Sequence, residues 1–175
     1  DRLLESNEPA IRYKVMLHVL RLDPESGAMK KARDQIRDCE RVRTLLAHRD
    51  DQGRITPVHH VYRKWTGAHW VLATLADLNY PAGDPEIKPI CNQVLDFWLH
   101  PESIREWICD RPSQSYGAKG VPIIDGRARR CASQQGNALY SVLSLGHADD
   151  RCDQLADLLM RWQWPDGGWN CDRKA

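Results

Sequence analysis

Asp149, Asp150 and Asp153 place three carboxylates within five residues. Acidic side chains at that spacing share one helix face and can hold a hard cation such as Mg²⁺. The same residues follow Gly146 and open a helix, where carboxylates cap free amides and favour the dipole. The capping reading is the stronger of the two. His69 and Trp70 begin another helix. A histidine there could donate a proton, and an indole ring could stabilise a cation. The plainer reading is a hydrogen-bonded histidine at a helix start, beside a packing tryptophan. His59-His60 could join His69 on a metal, but the carboxylate or cysteine spacing of a metal site is missing. Cys171 stands between Asn170 and Asp172 after a turn. It reads either as a reactive or metal-bound thiolate or, more simply, as a cysteine packed in the turn. Arg127-Ala128-Arg129-Arg130 could meet a diphosphate, though short basic runs are more often solvated loop.

The elements that must position these groups are helices. Ile11, Val15, Leu17, Val19, Leu20 and Leu22 mark one buried face after Pro9, which suits a first helical turn. Residues 25 to 48 read as one long charged helix, ended by Asp50-Asp51-Gln52-Gly53. Further helices are expected from about Thr66 to Asn79, Pro85 to Leu99, Ala132 to Leu145 and Asp149 to Trp162. Residues 110 to 128 hold Pro112, Gly117, Gly120, Pro122 and Gly126 and read as a long loop. Within it, Gly120-Val121-Pro122-Ile123-Ile124 is the one short stretch that could be extended.

Lys and Arg number 25 against 24 Asp and Glu, a net charge of +1. That balance gives no broad electrostatic reason to bind nucleic acid or an anionic membrane. Hydrophobic residues make up 42%, enough to build a core, and the chain lacks the signature of disorder. With a mean hydropathy of −0.60, no stretch approaches the roughly 20 apolar residues of a membrane span. The six cysteines form no C-x-x-C pair, and no secretory signal opens the chain, so a reduced, cytoplasmic setting is expected. Asp1 in first place suggests a piece cut or processed from something longer.

The helices repeat. Trp70 to Asn79 aligns with Asn137 to Gly146, 67 residues later, and Val94 to Trp98 aligns with Leu158 to Trp162. Leu45 to Ile55 aligns in turn with Leu159 to Trp169. The chain therefore reads as three antiparallel helical hairpins of about 60 residues each, with an apolar and a more charged member in each. The most specific string is Gln163-Trp164-Pro165-Asp166-Gly167-Gly168-Trp169-Asn170-Cys171-Asp172. Its Gln-x-x-x-Gly-x-Trp pattern resembles the QW motif of squalene and hopene cyclases. Thr66-Gly67-Ala68-His69-Trp70, and Cys131 to Asn137, are similar to helix starts in bacterial relatives of terpene cyclases and protein prenyltransferases.

The resemblance implies an all-α fold, a partial α/α toroid, as a single domain over 1–175 that is incomplete at its C-terminus. It implies binding of a hydrophobic, isoprenoid-type molecule in a central cavity, lined by Trp70, Asn137, Tyr140 and Trp169. The catalytic residues stay open, with His69, Asp166, Cys171 and Asp172 as candidates. The Asp-x-Asp-Asp acid of hopene-type cyclases is absent. Asp166 with Cys171 fits the zinc spacing of prenyltransferases poorly, and no His follows Cys171. The Asp149 box matches the Mg²⁺-diphosphate motif of other terpene synthases in letters only. Neither Mg nor Zn is therefore supported by spacing. In this motif Gln163 and Trp169 are expected to clamp the turn. The alternative function is a non-catalytic helical-repeat scaffold that binds a protein or peptide. Three hairpins would leave apolar flanks open, so either a homodimer or a fragment of a longer chain is expected.

Overall fold

A computed structural model describes residues 2–172. Helix α1 (Pro9–Lys14) starts on its proline and runs into a π-helical turn at Val15–Val19. Helices α2 (Gly27–Arg37) and α3 (Glu40–Leu46) follow. The long charged helix expected over 25 to 48 is thus broken at Asp38-Cys39, where Cys39 takes an extended conformation. Ser26 caps α2 by accepting from the Met29 amide, which sets its start two residues later than the pattern suggested. Then come α4 (Ala68–Asp77), a 3₁₀ turn at Pro85–Ile87, α5 (Lys88–Trp98) and the short α6 (Pro101–Ile104). The chain closes with α7 (Ala132–Ser144) and α8 (Asp150–Arg161).

Between α6 and α7 lies a sheet, and it overturns the all-α expectation. Strands β1 (Glu106–Ile108), β2 (Val121–Ile124) and β3 (Arg127–Ala128) make a mixed three-stranded sheet in that order. β1 runs parallel to β2, with Glu106 opposite Val121, and β3 returns antiparallel. The protein is about 49% helical with this sheet, so it is an α/β structure and not an all-α toroid. The extended piece foreseen at 121–124 is the central strand. Its parallel partner was invisible because it is three residues long and a dozen residues away, with no alternation to mark it. Gly120 makes the pairing possible. It sits at a φ of +104, and a Cβ there would fall 2.2 Å from the Arg105 carbonyl oxygen.

The helices pack in sequence-adjacent pairs, α1 with α2, α4 with α5 and α7 with α8. The broadest helix–helix contact joins α4 to α7. Helix α4 buries seven of its ten residues, including Val71, Leu72 and Leu75. Against them lie Ile90, Val94 and Leu95 of α5 and Ala138, Val142 and Leu145 around α7, all in one core. A smaller core of Val121, Ala128 and Trp162 joins the sheet to the end of α8. No helix among the described residues is long and apolar enough to cross a membrane.

The start of α4 depends on Gly67. A Cβ there would lie 2.4 Å from the Val61 carbonyl oxygen, 2.7 Å from that of His60 and 2.8 Å from the Arg63 nitrogen. All three are backbone atoms and cannot swing aside. Gly67→Ala should therefore destabilise the fold by about 1–3 kcal/mol, the usual cost of overpacking. Urea unfolding checks this, and an unchanged midpoint would show that the 57–67 loop is not packed as described.

Candidate functional site

The loop before α4 folds back onto the helix start. The His69 amide donates to the Val61 carbonyl at 3.1 Å, and the Gly67 amide donates to Arg63 at 2.7 Å. This places Tyr62 over the first turn of α4. Its ring centre is 5.0 Å from His69, 5.4 Å from Trp70 and 5.6 Å from Trp98. Phe97 stands edge-on to Trp98 at 4.9 Å, and Trp65 lies 4.7 Å from Trp70. Six aromatic or imidazole rings from one loop and two helices thus form a continuous cluster.

His69 is at its centre and is only 2% exposed. Trp98 Nε1–H donates to His69 Nδ1 at 3.2 Å. An indole can only donate, so Nδ1 must be unprotonated and the histidine neutral. Burial pushes its pKa down to about 4. His69 is therefore no proton donor near neutral pH, and the plainer of its two sequence readings fits the geometry.

The outer wall of the cluster faces two cavities. One of about 670 Å³ lies between the 52–61 segment and α5, with Val58, Val61, Pro85, Pro89 and Phe97 among its apolar walls. The other, of about 630 Å³, lies between the end of α5 and the sheet. His59, Phe97 and His100 line both. Lys88 borders the first, and Lys119 and Arg130 border the second. Lys119 is held by Glu102 at 2.9 Å. The Arg130 guanidinium lies 5.5 Å from the Trp98 ring centre. Gln93 fixes the shape of the first cavity. Its side-chain oxygen accepts from the Ile55 amide at 2.9 Å, and its nitrogen donates to the carbonyls of Ile55 and Val58.

The residues singled out in the sequence are spread apart. Trp70 and Asn137 sit on the packed pair α4 and α7, and each keeps a solvent-shielded polar atom without a partner, Nε1 and Oδ1. Tyr140 is 51% exposed on α7. Trp169 is 39% exposed, and its Nε1 donates to the Leu159 carbonyl at 2.8 Å. Gln163 donates to the Gly167 carbonyl at 2.7 Å, so the two side chains hold the end of α8 and the turn after it. A ring this exposed does not reach the ~3–5 kcal/mol of a fully buried one. Asp166 is exposed and accepts from the Gly168 amide. Cys171 and Asp172, further along the chain, are exposed as well. Asp166 thus lies in the turn after α8, and Cys171 and Asp172 in the extended segment beyond it, while His69 is buried in the aromatic cluster.

The acidic box is a cap. Asp149 accepts from the Arg151 amide at 3.0 Å, and the Arg151 guanidinium bridges Asp149 and Asp96 at 2.6 and 2.7 Å. Hydrogen bonding from Arg151 holds the Asp149 carboxyl below its usual range. The cation that meets Asp149 is thus the protein's own arginine. Among the described residues, no group of three or more His, Cys, Asp or Glu could hold a metal ion. In the basic run, Arg127 and Arg129 stack on Trp164, and only Arg130 lines one of these two cavities. Sequence reasoning missed Gln93, Phe97 and Lys88. The legible signal was Gln93, an amide on the apolar face of α5 between Ile90 and Val94. Compared with known protein families, curated proteins and solved structures, the chain matches none.

The neutral His69 ties stability to pH. Its pKa is about 4 in the folded state against 6.5 unexposed to the fold. Between those values the unfolded chain binds the extra proton, so stability present above 6.5 is lost as pH falls towards 4. The loss from this one group is roughly 3 kcal/mol. His69→Gln keeps an acceptor for Trp98 but cannot titrate. Denaturant unfolding from about pH 7 to about pH 4 should show a shallower pH slope for the variant. Equal slopes would mean that His69 is not buried as a neutral acceptor.

Proposed function

We propose that this chain binds a hydrophobic small molecule of isoprenoid type in the groove formed where the two cavities share His59, Phe97 and His100. The observation that carries this is the wall composition. Apolar and aromatic side chains share the walls with Arg54, Lys88, Lys119 and Arg130, which outnumber the carboxylates of Asp96 and Glu102. Both volumes fall in the range of about 300–1,000 Å³ typical of small-molecule sites. The resemblance to terpene cyclases and protein prenyltransferases points to the same ligand class. Binding, and not a chemical step, is what the residues support. His69 is held neutral, and Asp166, Cys171 and Asp172 are exposed in the segment after α8.

Tryptophan fluorescence reads the reaction of the cluster to a ligand. Farnesol and farnesyl diphosphate should each change it saturably, and the diphosphate should bind more tightly because of the cationic border. Phe97→Ala should weaken both by about tenfold, or about 1.4 kcal/mol. A response that never saturates, identical in wild type and variant, would overturn the assignment.

One observation favours a second reading, a helical-repeat scaffold whose partner is another protein, a second copy included. Helix α7 exposes Tyr140 and Leu143, at 51% and 56%. The positions 67 residues earlier, Ala73 and Ala76, are buried in α4. The equivalent face of α7 is therefore apolar and uncovered, and Met160 of α8 and Trp169 after it are exposed too. Light scattering distinguishes the readings. Self-association at micromolar concentration that Leu143→Glu abolishes supports the scaffold reading, and a monodisperse monomer counts against the second copy as partner.

A further inference from the structure

The sheet splits the basic run Arg127-Ala128-Arg129-Arg130 between its two faces. The ladder continues one residue past β3, with the Arg129 amide donating to the Pro122 carbonyl at 3.0 Å. Strand alternation therefore sends Ala128 and Arg130 one way and Arg127 and Arg129 the other. Ala128 packs in the small core with Trp162, and the Arg130 guanidinium lies 5.7 Å from the Trp162 ring centre. The guanidinium groups of Arg127 and Arg129 lie instead 4.9 and 4.8 Å from the ring centre of Trp164. Trp164 is fixed beside the strand, since its Nε1 donates to the Ala128 carbonyl at 2.9 Å. Sharing one ring keeps the two cations close together.

Arg129 is only 5% exposed, and its Nε–H is shielded from solvent without an acceptor. Among the described residues, no carboxylate forms an ion pair with Arg127 or Arg129. A ring face attracts a cation but does not replace a counter-charge. A buried charge without one is strongly destabilising. The other buried charge shows the contrast, because Asp84 meets Arg37 at 2.9 Å. A second donor on the same face is in the same condition. Trp107 pairs with Pro122 from the other side, so Trp107 and Arg129 flank Pro122 in one row across the sheet. Residues in one row share a face, and Trp107 Nε1 is also shielded without a partner. The C-terminal segment supplies no acceptor from its nearest residue. Asn170 bridges Arg129 through the main chain, but its side-chain oxygen accepts from the Asp172 amide at 2.7 Å.

We propose that Arg127 and Arg129 form a binding site for a phosphate group, free or carried by a small molecule, on the face of the sheet that holds Trp164. The site is separate from the groove bordered by Arg130 and does not depend on an isoprenoid ligand. A guanidinium presents paired N–H donors in the geometry that two phosphate oxygens accept. Arg129 is the buried donor, already positioned by the strand and by the Trp164 ring. Arg127 is exposed and meets the anion from the solvent side. Because one ring holds both guanidinium groups, less side-chain freedom is lost when the anion binds. Two adjacent cations select a phosphate over a carboxylate, since a phosphate monoester carries about −1.5 to −2 charges near neutral pH.

The test follows the melting temperature of the purified chain as inorganic phosphate or glycerol 3-phosphate replaces sodium chloride at constant ionic strength. The melting temperature should rise with at least one probe and level off at saturation. Arg129→Met keeps the length of the side chain without its charge, and the rise should be lost. Arg127→Gln, at an exposed position, gives a second reading that leaves the core untouched. It should raise the half-saturating concentration by about tenfold, the weight of one charge-assisted hydrogen bond. A response to inorganic phosphate alone identifies the free ion as the ligand, and a response to the ester identifies a phosphorylated small molecule. No saturable rise with either probe, an Arg129→Met chain that still responds, or the same half-saturating concentration in wild type and Arg127→Gln would each overturn the proposal.

Discussion

The hydrogen bond from Trp98 to His69 joins the first turn of α4 to the last turn of α5, and much of the site rests on it. It requires a neutral imidazole, because a protonated ring has no lone pair to offer an indole. Burial supplies that neutrality by penalising the charged form. With the ring fixed, the main chain of residue 69 reaches back to Val61, and Tyr62 closes over the pair. The next residue from Trp98 in each direction is then placed as well. Phe97 turns to the cavities, and Leu99 leads into His100 on their shared border. A single buried polar contact thus orients the aromatic cluster, the helix pair and the groove wall together.

The helices of the second half were legible because their signals were local. Gly67 and Pro85 lie beside real starts, and Asp149 caps α8 through the Arg151 amide. The turn after α8 was legible for the same reason, since Gln163, Gly167 and Trp169 all act within ten residues of each other. The sheet was not. Its parallel ladder joins Glu106 to Val121 across a stretch rich in glycine and proline, and strands of three, four and two residues carry no period. The break at Cys39 was hidden in a different way. Charged residues on both sides favour helix, and what interrupts them is an extended Cys39 that starts α3 afresh.

The candidate site shows the same division. His69 and Trp70 stood out because a histidine and a tryptophan at a helix start are unusual residues in a visible place, though neither lines the two cavities. The groove wall was not found, because Val58, Pro89 and Phe97 are ordinary apolar residues whose meeting depends on Gln93. That one amide holds the 55–58 backbone through three hydrogen bonds, in place of the strand pairing a loop would otherwise need. A polar side chain on an apolar helix face costs stability unless its partners are in place. Its presence was therefore a clue to a docked loop, though not to which loop.

Charge follows burial throughout the chain, and this decides where chemistry can occur. The core groups that could react are quenched. His69 is neutral, Cys91 is held as a thiol, and the Tyr80 hydroxyl is kept protonated by burial and by its bond to Asp84 at 2.7 Å. Asp84 stays buried only because Arg37 reaches it at 2.9 Å. Asp149 is likewise paired with Arg151. Charge-bearing groups with access to solvent lie instead along the groove, in Arg54, Lys88, Lys119 and Arg130 and in the carboxylates of Asp96 and Glu102. The buried charge at Asp84 is thus met by a partner of opposite charge, and the reactive groups His69 and Cys91 of the core are held neutral.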